Sequence, residues 1–141
     1  ISQLATAAVA AAAHSASAGP AGALAPHAVS KLYYFAWGQR THRAYEEGVR
    51  RITMTVDGVE RQGTPWPEWA ITTRIDTAAQ WPTVWRAVSC HESQVASYGD
   101  RLQNLSPEHH AAVWGSQTLY RAFSLVNGGR AVETDLFEGL R

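Results

Sequence analysis

A histidine lies on the best-patterned helical face of this sequence, and it is the first residue suited to chemistry. That face comprises Trp81, Val84, Trp85, Val88, His91 and Val95. An imidazole acts as an acid or base near neutral pH, or polarises a carbonyl group. His91 is therefore either a core histidine bonded to a backbone carbonyl or a pocket histidine that orients a substrate. The pattern alone favours the core residue.

Other polar residues lie close to His91 in sequence. Gln94, one turn later, would supply an amide to the same pocket. Cys90 has no basic neighbour in sequence, which predicts an inert packed thiol. Asp76 and Glu92 are candidate carboxylates, although a helix cap and a surface charge explain them equally well. No nucleophile-elbow sequence is present, so a Ser-His-Asp triad is not predicted.

Histidines are numerous enough to raise the question of a metal site. The six are His14, His27, His42, His91, His109 and His110. No HExxH motif occurs, and no pair at i, i+4 would place two imidazoles on one helical face. His109 and His110 are adjacent and point about 100° apart on a helix, so we expect both to be exposed on a first turn. Spacing therefore predicts no metal site.

Composition excludes several classes of protein. The 141 residues are 45% apolar and 17% charged, which suits a single globular domain spanning residues 1–141. A net charge of zero argues against a nucleic-acid-binding surface. The single cysteine excludes an internal disulfide framework and indicates a cytoplasmic protein. The apolar run at residues 4–13 is about ten residues long, whereas a membrane span needs about 20. Six tryptophans predict an aromatic core or pocket wall.

Two elements must position His91. Residues 70–75 predict a strand, and residues 76–95 a helix that begins at a capping box of Thr77 and Gln80. Residues 31–37, KLYYFAW, form a continuous apolar run typical of a strand buried on both faces of a parallel sheet.

The remaining elements are predicted from local signals. Asp57-Gly58 between alternating segments predicts a hairpin over residues 52–62. Ser106, Pro107 and Glu108 predict a helix start. Further predictions are a helix over residues 2–13, a flexible loop over 14–25, a short surface helix within 38–51 and a strand over 120–126.

The start of the chain has two interpretations. An alanine-rich helix directly at residue 1, followed by a buried strand, is what remains when a βαβ unit loses its first strand. We therefore expect the C-terminal part of a longer domain. A mature N-terminus after processing is the alternative, and the pattern does not separate the two.

Six short motifs occur in an order typical of a known family. They are Lys31-Leu32-Tyr33-Tyr34, Thr73-Arg74-Ile75-Asp76, His91-x-Ser93-Gln94, Trp114-Gly115, Tyr120-Arg121-x-Phe123 and Glu133-Thr134-Asp135-Leu136-Phe137-x-Gly139-Leu140. In this order and combination they resemble the C-terminal half of the PIG-L (LmbE-like) family of zinc-dependent de-N-acetylases. The resemblance covers nearly the whole chain.

The resemblance implies an α/β fold, here a partial Rossmann-like three-layer arrangement whose C-terminal portion holds a β-hairpin and two or three helices. It implies zinc at the C-terminal edge of the sheet and release of acetate from an N-acetylated amino sugar or its conjugate. The family takes its zinc ligands and general base from an Ala-His-Pro-Asp-Asp-Glu motif and a His-Pro-Asp-His motif. Neither motif occurs in this sequence. We therefore expect zinc in a full-length parent and none in this chain.

By this resemblance the chain contributes a pocket wall. His91 is expected to position the substrate or stabilise the oxyanion, and Gln94, Arg74 and Trp66 are expected to bind substrate. The expected partner is a small N-acetylated molecule, with neither nucleic acid nor membrane, and an open strand edge predicts self-association. A non-catalytic α/β module that binds a sugar or a partner, and a complete small domain of unrelated function, are the alternatives.

Overall fold

Helices and strands both occur along the described chain, and together they confirm the expected α/β mixture. The computed structural model describes residues 2–14 and 25–141. The helices are α1 Ser2–Ala12, α2 Gln39–Gly48, α3 Trp81–Ser89, α4 Glu92–Ala96 and α5 Pro107–Trp114. The strands are β1 Lys31–Phe35, β2 Thr53–Val56, β3 Val59–Gln62, β4 Thr73–Asp76 and β5 Ser116–Ser124. The loop predicted over residues 14–25 lies almost wholly outside the described residues.

A three-stranded sheet of order β1-β5-β4 forms the centre of the fold. Both pairings are antiparallel, with Tyr34 opposite Tyr120 and Asp76 opposite Ser116. The parallel sheet predicted for residues 31–37 is therefore wrong, because the chain enters β5 directly from α5 and runs back between β1 and β4. Within the described part of the chain, β1 has a strand partner on one side only, and Phe35 at its end is 60% exposed.

The two faces of the sheet carry different chemistry. On one face Tyr34 and Trp66 stack on Tyr120, with ring centroids 6.4 and 5.4 Å away. The Tyr34 hydroxyl lies 2.7 Å from the Thr6 hydroxyl, which places α1 beside this face. The other face holds the polar cluster around Glu133 that is described below.

The buried apolar core lies among the helices rather than against the sheet. Tyr45, Val49, Leu102 and Val113 form its centre, and aromatic and aliphatic residues of the helices and of the loops that join them pack around it. The helix predicted to run through His91 to Val95 is wrong in its C-terminal half. Helix α3 ends at Ser89, and the backbone of His91 (φ −84°, ψ 60°) leaves the helical region before α4 begins.

Local turn and cap signals give mixed results. The hairpin is confirmed, because Asp57 and Gly58 both take positive φ values (53° and 76°) in a two-residue turn between β2 and β3. The cap of α5 is confirmed by a 3.2 Å hydrogen bond from the His109 amide to the Ser106 hydroxyl. The capping box at Thr77 is wrong, since the Thr77 hydroxyl donates to the carbonyl of Trp114 instead.

Candidate functional site

A polar cleft of about 640 Å³ lies where β1 and β4 end and β5 begins. Its volume falls within the range of about 300–1,000 Å³ that is common for small-molecule sites. The charged residues of its lining are Arg40, Glu68, Arg74, Asp76 and Glu108, and the hydroxyl groups are those of Thr41, Ser116 and Thr118. The cleft therefore offers both donors and acceptors to a polyhydroxylated or amide-bearing ligand.

The charges in this cleft are fixed by local hydrogen bonds. Arg74 forms an ion pair with Glu68. An Asp76 carboxylate oxygen accepts a 2.9 Å hydrogen bond from the amide of Ala78. The Ser106 hydroxyl, together with the backbone at the start of α5, holds the pKa of Glu108 below its ordinary value. The cleft thus places carboxyl groups beside guanidinium groups.

A second cavity, the aromatic pocket, has a volume of about 230 Å³ and lies between α2, α3 and α4. Its walls are Trp37, Tyr45, Tyr98, Trp114, Val88, Val95 and Leu102, with His91 and Gln94 as the remaining residues. The rings of Trp37 and Tyr45 meet at 52° with centroids 5.1 Å apart, and Tyr98 meets Tyr45 edge to face. The lining of this pocket is mainly apolar, whereas the lining of the cleft carries charged side chains.

The cleft and the aromatic pocket lie on opposite sides of the same two chain segments. Trp37 and Trp114 line the pocket, whereas their next neighbours, Gly38 and Gly115, line the cleft. The residues that line one cavity do not line the other. They are therefore neighbouring but separate binding spaces.

The structure distributes the predicted site residues over three places. His91 and Gln94 line the aromatic pocket together, as expected for residues sharing a pocket. Arg74 lines the cleft. Trp66 stacks on Tyr120 beside the sheet, and its amide donates to the carbonyl of Trp37. The four residues consequently do not form one constellation.

Burial corrects three expectations from the sequence. His91 is exposed rather than buried on a helical face, because α3 has already ended where it occurs. Cys90 is exposed too, and its thiol donates to the carbonyl of Arg86 at 3.3 Å. His110, predicted to be exposed, is 6% exposed and stacks on Trp81 with centroids 5.2 Å apart.

A buried polar cluster centred on Glu133 was missed by sequence reasoning. One Glu133 oxygen lies 2.7 Å from Lys31 Nζ, 2.9 Å from an Arg121 nitrogen and 2.5 Å from Asn127 Nδ2. The other accepts from the hydroxyls of Tyr33 (2.8 Å) and Thr73 (2.9 Å). Burial raises the pKa of Glu133, but these hydrogen bonds outweigh it and lower the pKa to about 2. The cluster is a buried ion-paired centre that joins residues of β1, β4 and β5.

Over residues 2–14 and 25–141, no group of three or more His, Cys, Asp or Glu side chains is placed to hold a metal. None of the helices in those ranges is both long and apolar enough to cross a bilayer.

Comparison with protein-family models, with curated proteins and with solved structures finds no match to this chain.

Proposed function

We propose that this chain is the substrate-side half of a zinc-dependent hydrolase that removes the N-acetyl group from an amino sugar or its conjugate. The parent domain would be Rossmann-like and cytoplasmic, with zinc ligands outside these 141 residues. The motifs from Lys31-Leu32-Tyr33-Tyr34 to the C-terminal Glu133-Thr134-Asp135 segment support the proposal by their order.

The single observation that carries the proposal is the position of the polar cleft. The cleft lies beyond the carboxyl ends of β1 and β4, which run parallel to each other on either side of β5, and its volume of about 640 Å³ suits a small molecule. Sugar hydroxyls need hydrogen-bonding partners when they lose water. Asp76 and Glu108 would accept from hydroxyl groups, whereas Arg40 and Arg74 would donate to ring or acetamide oxygens.

His91 enters the proposal as a positioning residue for the acetamide. It is exposed and lines the aromatic pocket with Gln94, on the other side of the 37–38 and 114–115 segments from the cleft. A role in oxyanion stabilisation thus requires the acetyl group to approach this pocket. If His91→Ala left the kcat/KM of the zinc-loaded parent unchanged, that role would be excluded.

The activity is tested on the full-length protein that the whole reading frame encodes. We expect Ala-His-Pro-Asp-Asp-Glu and His-Pro-Asp-His motifs upstream of Ile1, one zinc per chain by metal analysis, and acetate release from N-acetylglucosamine conjugates. Arg74→Ala should raise KM, whereas Arg61→Ala on β3, outside the cleft, should leave it unchanged. A frame lacking both motifs, or a zinc-loaded product that releases no acetate, would reject the proposal.

A non-catalytic binding module is the second candidate, favoured by the lack of a metal-binding group among the described residues. It predicts that the 141-residue chain itself binds N-acetylglucosamine in the cleft. In a nuclear magnetic resonance titration, saturable shifts at Thr118 and Ser116 that Arg74→Ala weakens, with no acetate release by the whole product, would favour this candidate.

A further inference from the structure

We propose that the aromatic pocket is a second, separate binding site, whose ligand is a planar aromatic molecule of one or two rings with a polar substituent. This inference does not depend on the proposed hydrolase activity, because the pocket and the cleft are lined by different residues.

The size of the pocket restricts its occupant. Its volume of about 230 Å³ lies below the range of about 300–1,000 Å³ that accommodates drug-sized ligands. A ligand with one or two rings can therefore enter, whereas a disaccharide conjugate cannot be enclosed. The restriction separates the ligand of this pocket from the larger substrate proposed for the cleft.

The walls favour aromatic rings in particular. Trp37, Tyr45 and Tyr98 all line the pocket and meet one another at angles of 52° and 88°, so a planar ring that enters joins an existing group of tilted and edge-to-face aromatic contacts. Planar rings gain from offset-stacked and edge-to-face contacts beyond the apolar area that they bury. A hexose carries hydroxyls around its whole ring and would lose their hydration against Val88 and Leu102.

Three residues of the pocket lining are already buried in the protein without a ligand. Tyr45 and Leu102 belong to the buried core cluster, and Val95 is buried as well. A ligand would therefore extend an existing core instead of ordering a mobile surface, which reduces the entropic cost of binding.

His91 and Gln94 account for the polar substituent. Both are exposed residues of the lining, at the start of α4. The Gln94 amide makes only a 3.5 Å contact with its neighbour Ser93, and the His91 ring has no hydrogen-bond partner among the described residues. Both side chains are available to a hydroxyl or carbonyl group at the edge of a bound ring.

The test uses indole and 5-hydroxyindole as probes of the full 141-residue chain, followed by nuclear magnetic resonance. We expect saturable shifts at Val88, Val95 and the Trp114 indole. Val88→Trp should fill the pocket and weaken indole binding about tenfold or more, equivalent to about 1.4 kcal/mol. The matched control Ala87→Trp adds the same ring at an exposed neighbouring position of α3 and should bind indole normally.

A double variant, His91→Ala with Gln94→Ala, keeps the test decisive if Val88→Trp does not fold. The unmodified chain should bind 5-hydroxyindole more tightly than indole, and replacing the exposed His91 and Gln94 with alanine should reduce the affinity for 5-hydroxyindole to that for indole. The proposal is overturned if indole causes no saturable shift at the pocket residues. It is also overturned if Val88→Trp and Ala87→Trp bind indole equally, or if the double variant retains the preference.

Discussion

Lys31 and Glu133, 102 positions apart in the chain, meet side chain to side chain at 2.7 Å. Lys31 begins β1, and Glu133 bridges to Thr73 at the outer edge of β4. The Glu133 amide donates to the Thr72 carbonyl at 2.9 Å, and its own carbonyl accepts from Arg74 at 2.8 Å. This pair therefore connects the C-terminal segment to both outer strands of the sheet.

Replacing the buried carboxylate should destabilise the whole fold. Glu133→Gln leaves Lys31 and Arg121 buried without a countercharge, and breaking a buried pair costs about 3–5 kcal/mol. Urea unfolding should therefore show a free energy of unfolding lower by roughly 3 kcal/mol or more. Glu60→Gln, at an exposed position of β3, is the matched control and should change it by less than about 0.5 kcal/mol. Equal effects of the two variants would show that the cluster contributes little.

Acid should weaken the protein through the same residue. The pKa of Glu133 falls from 4.5 to about 2 on folding, so its carboxylate stabilises the native state fully above pH 4.5. That contribution, roughly 3 kcal/mol, is lost as the pH falls from 4.5 through 2. Unfolding midpoints measured from pH 6 to pH 2 should decline more steeply for the unmodified chain than for Glu133→Gln. Parallel declines would contradict the lowered pKa.

Local signals predicted the elements whose geometry depends on adjacent residues. The hairpin required two positive φ values, and Asp57-Gly58 supplied them. The start of α5 required an acceptor for free amides, and Ser106 supplied it. Neither structure depends on distant parts of the chain, so the sequence pattern was sufficient to predict it.

Contacts between distant segments were not predictable in this way. Thr73 and Tyr33 have the pattern of ordinary strand residues, and nothing in their local sequence indicates a shared carboxylate 60 and 100 positions away. The break after Ser89 moved His91 from the expected buried face to the edge of a pocket. Arg74 lines the cleft because β4 ends there, whereas Gln94 lines the aromatic pocket together with His91.

His110 should behave as a neutral core residue. It stacks on Trp81 and meets Trp85 at 47°, and burial holds its pKa below the ordinary 6.5. Its contribution to stability is complete above pH 6.5 and falls as the pH drops below that value and the buried ring must take up a proton. His110→Phe should remove this pH dependence, measured by thermal unfolding at pH 7 and pH 5.

The same substitution should also raise stability at neutral pH. His110 Nδ1 is buried without a hydrogen-bond partner among the described residues, and such a group costs about 1–3 kcal/mol. Phenylalanine keeps a planar ring in contact with Trp81 and Trp85 and removes that nitrogen. His27→Gln, which changes an exposed histidine, serves as the control for both measurements. A His110→Phe protein that is less stable at pH 7 would indicate that a water or ligand satisfies Nδ1.

Gly58→Ala should loosen the hairpin without unfolding the domain. Gly58 has a φ of 76°, which costs an L-residue roughly 1 kcal/mol, although a Cβ there would meet no atom within 4 Å. Because every residue of β2 and β3 is exposed, the loss should be confined to these strands. Amide hydrogen exchange at Val56 and Val59 should quicken, while that of β5 stays unchanged. Gly128→Ala is the control, because the added Cβ also meets open space and φ lies outside the left-handed region. It should change neither exchange rate. Faster exchange at Val56 or Val59 in this control would mean that lost glycine flexibility, and not the sign of φ, is responsible.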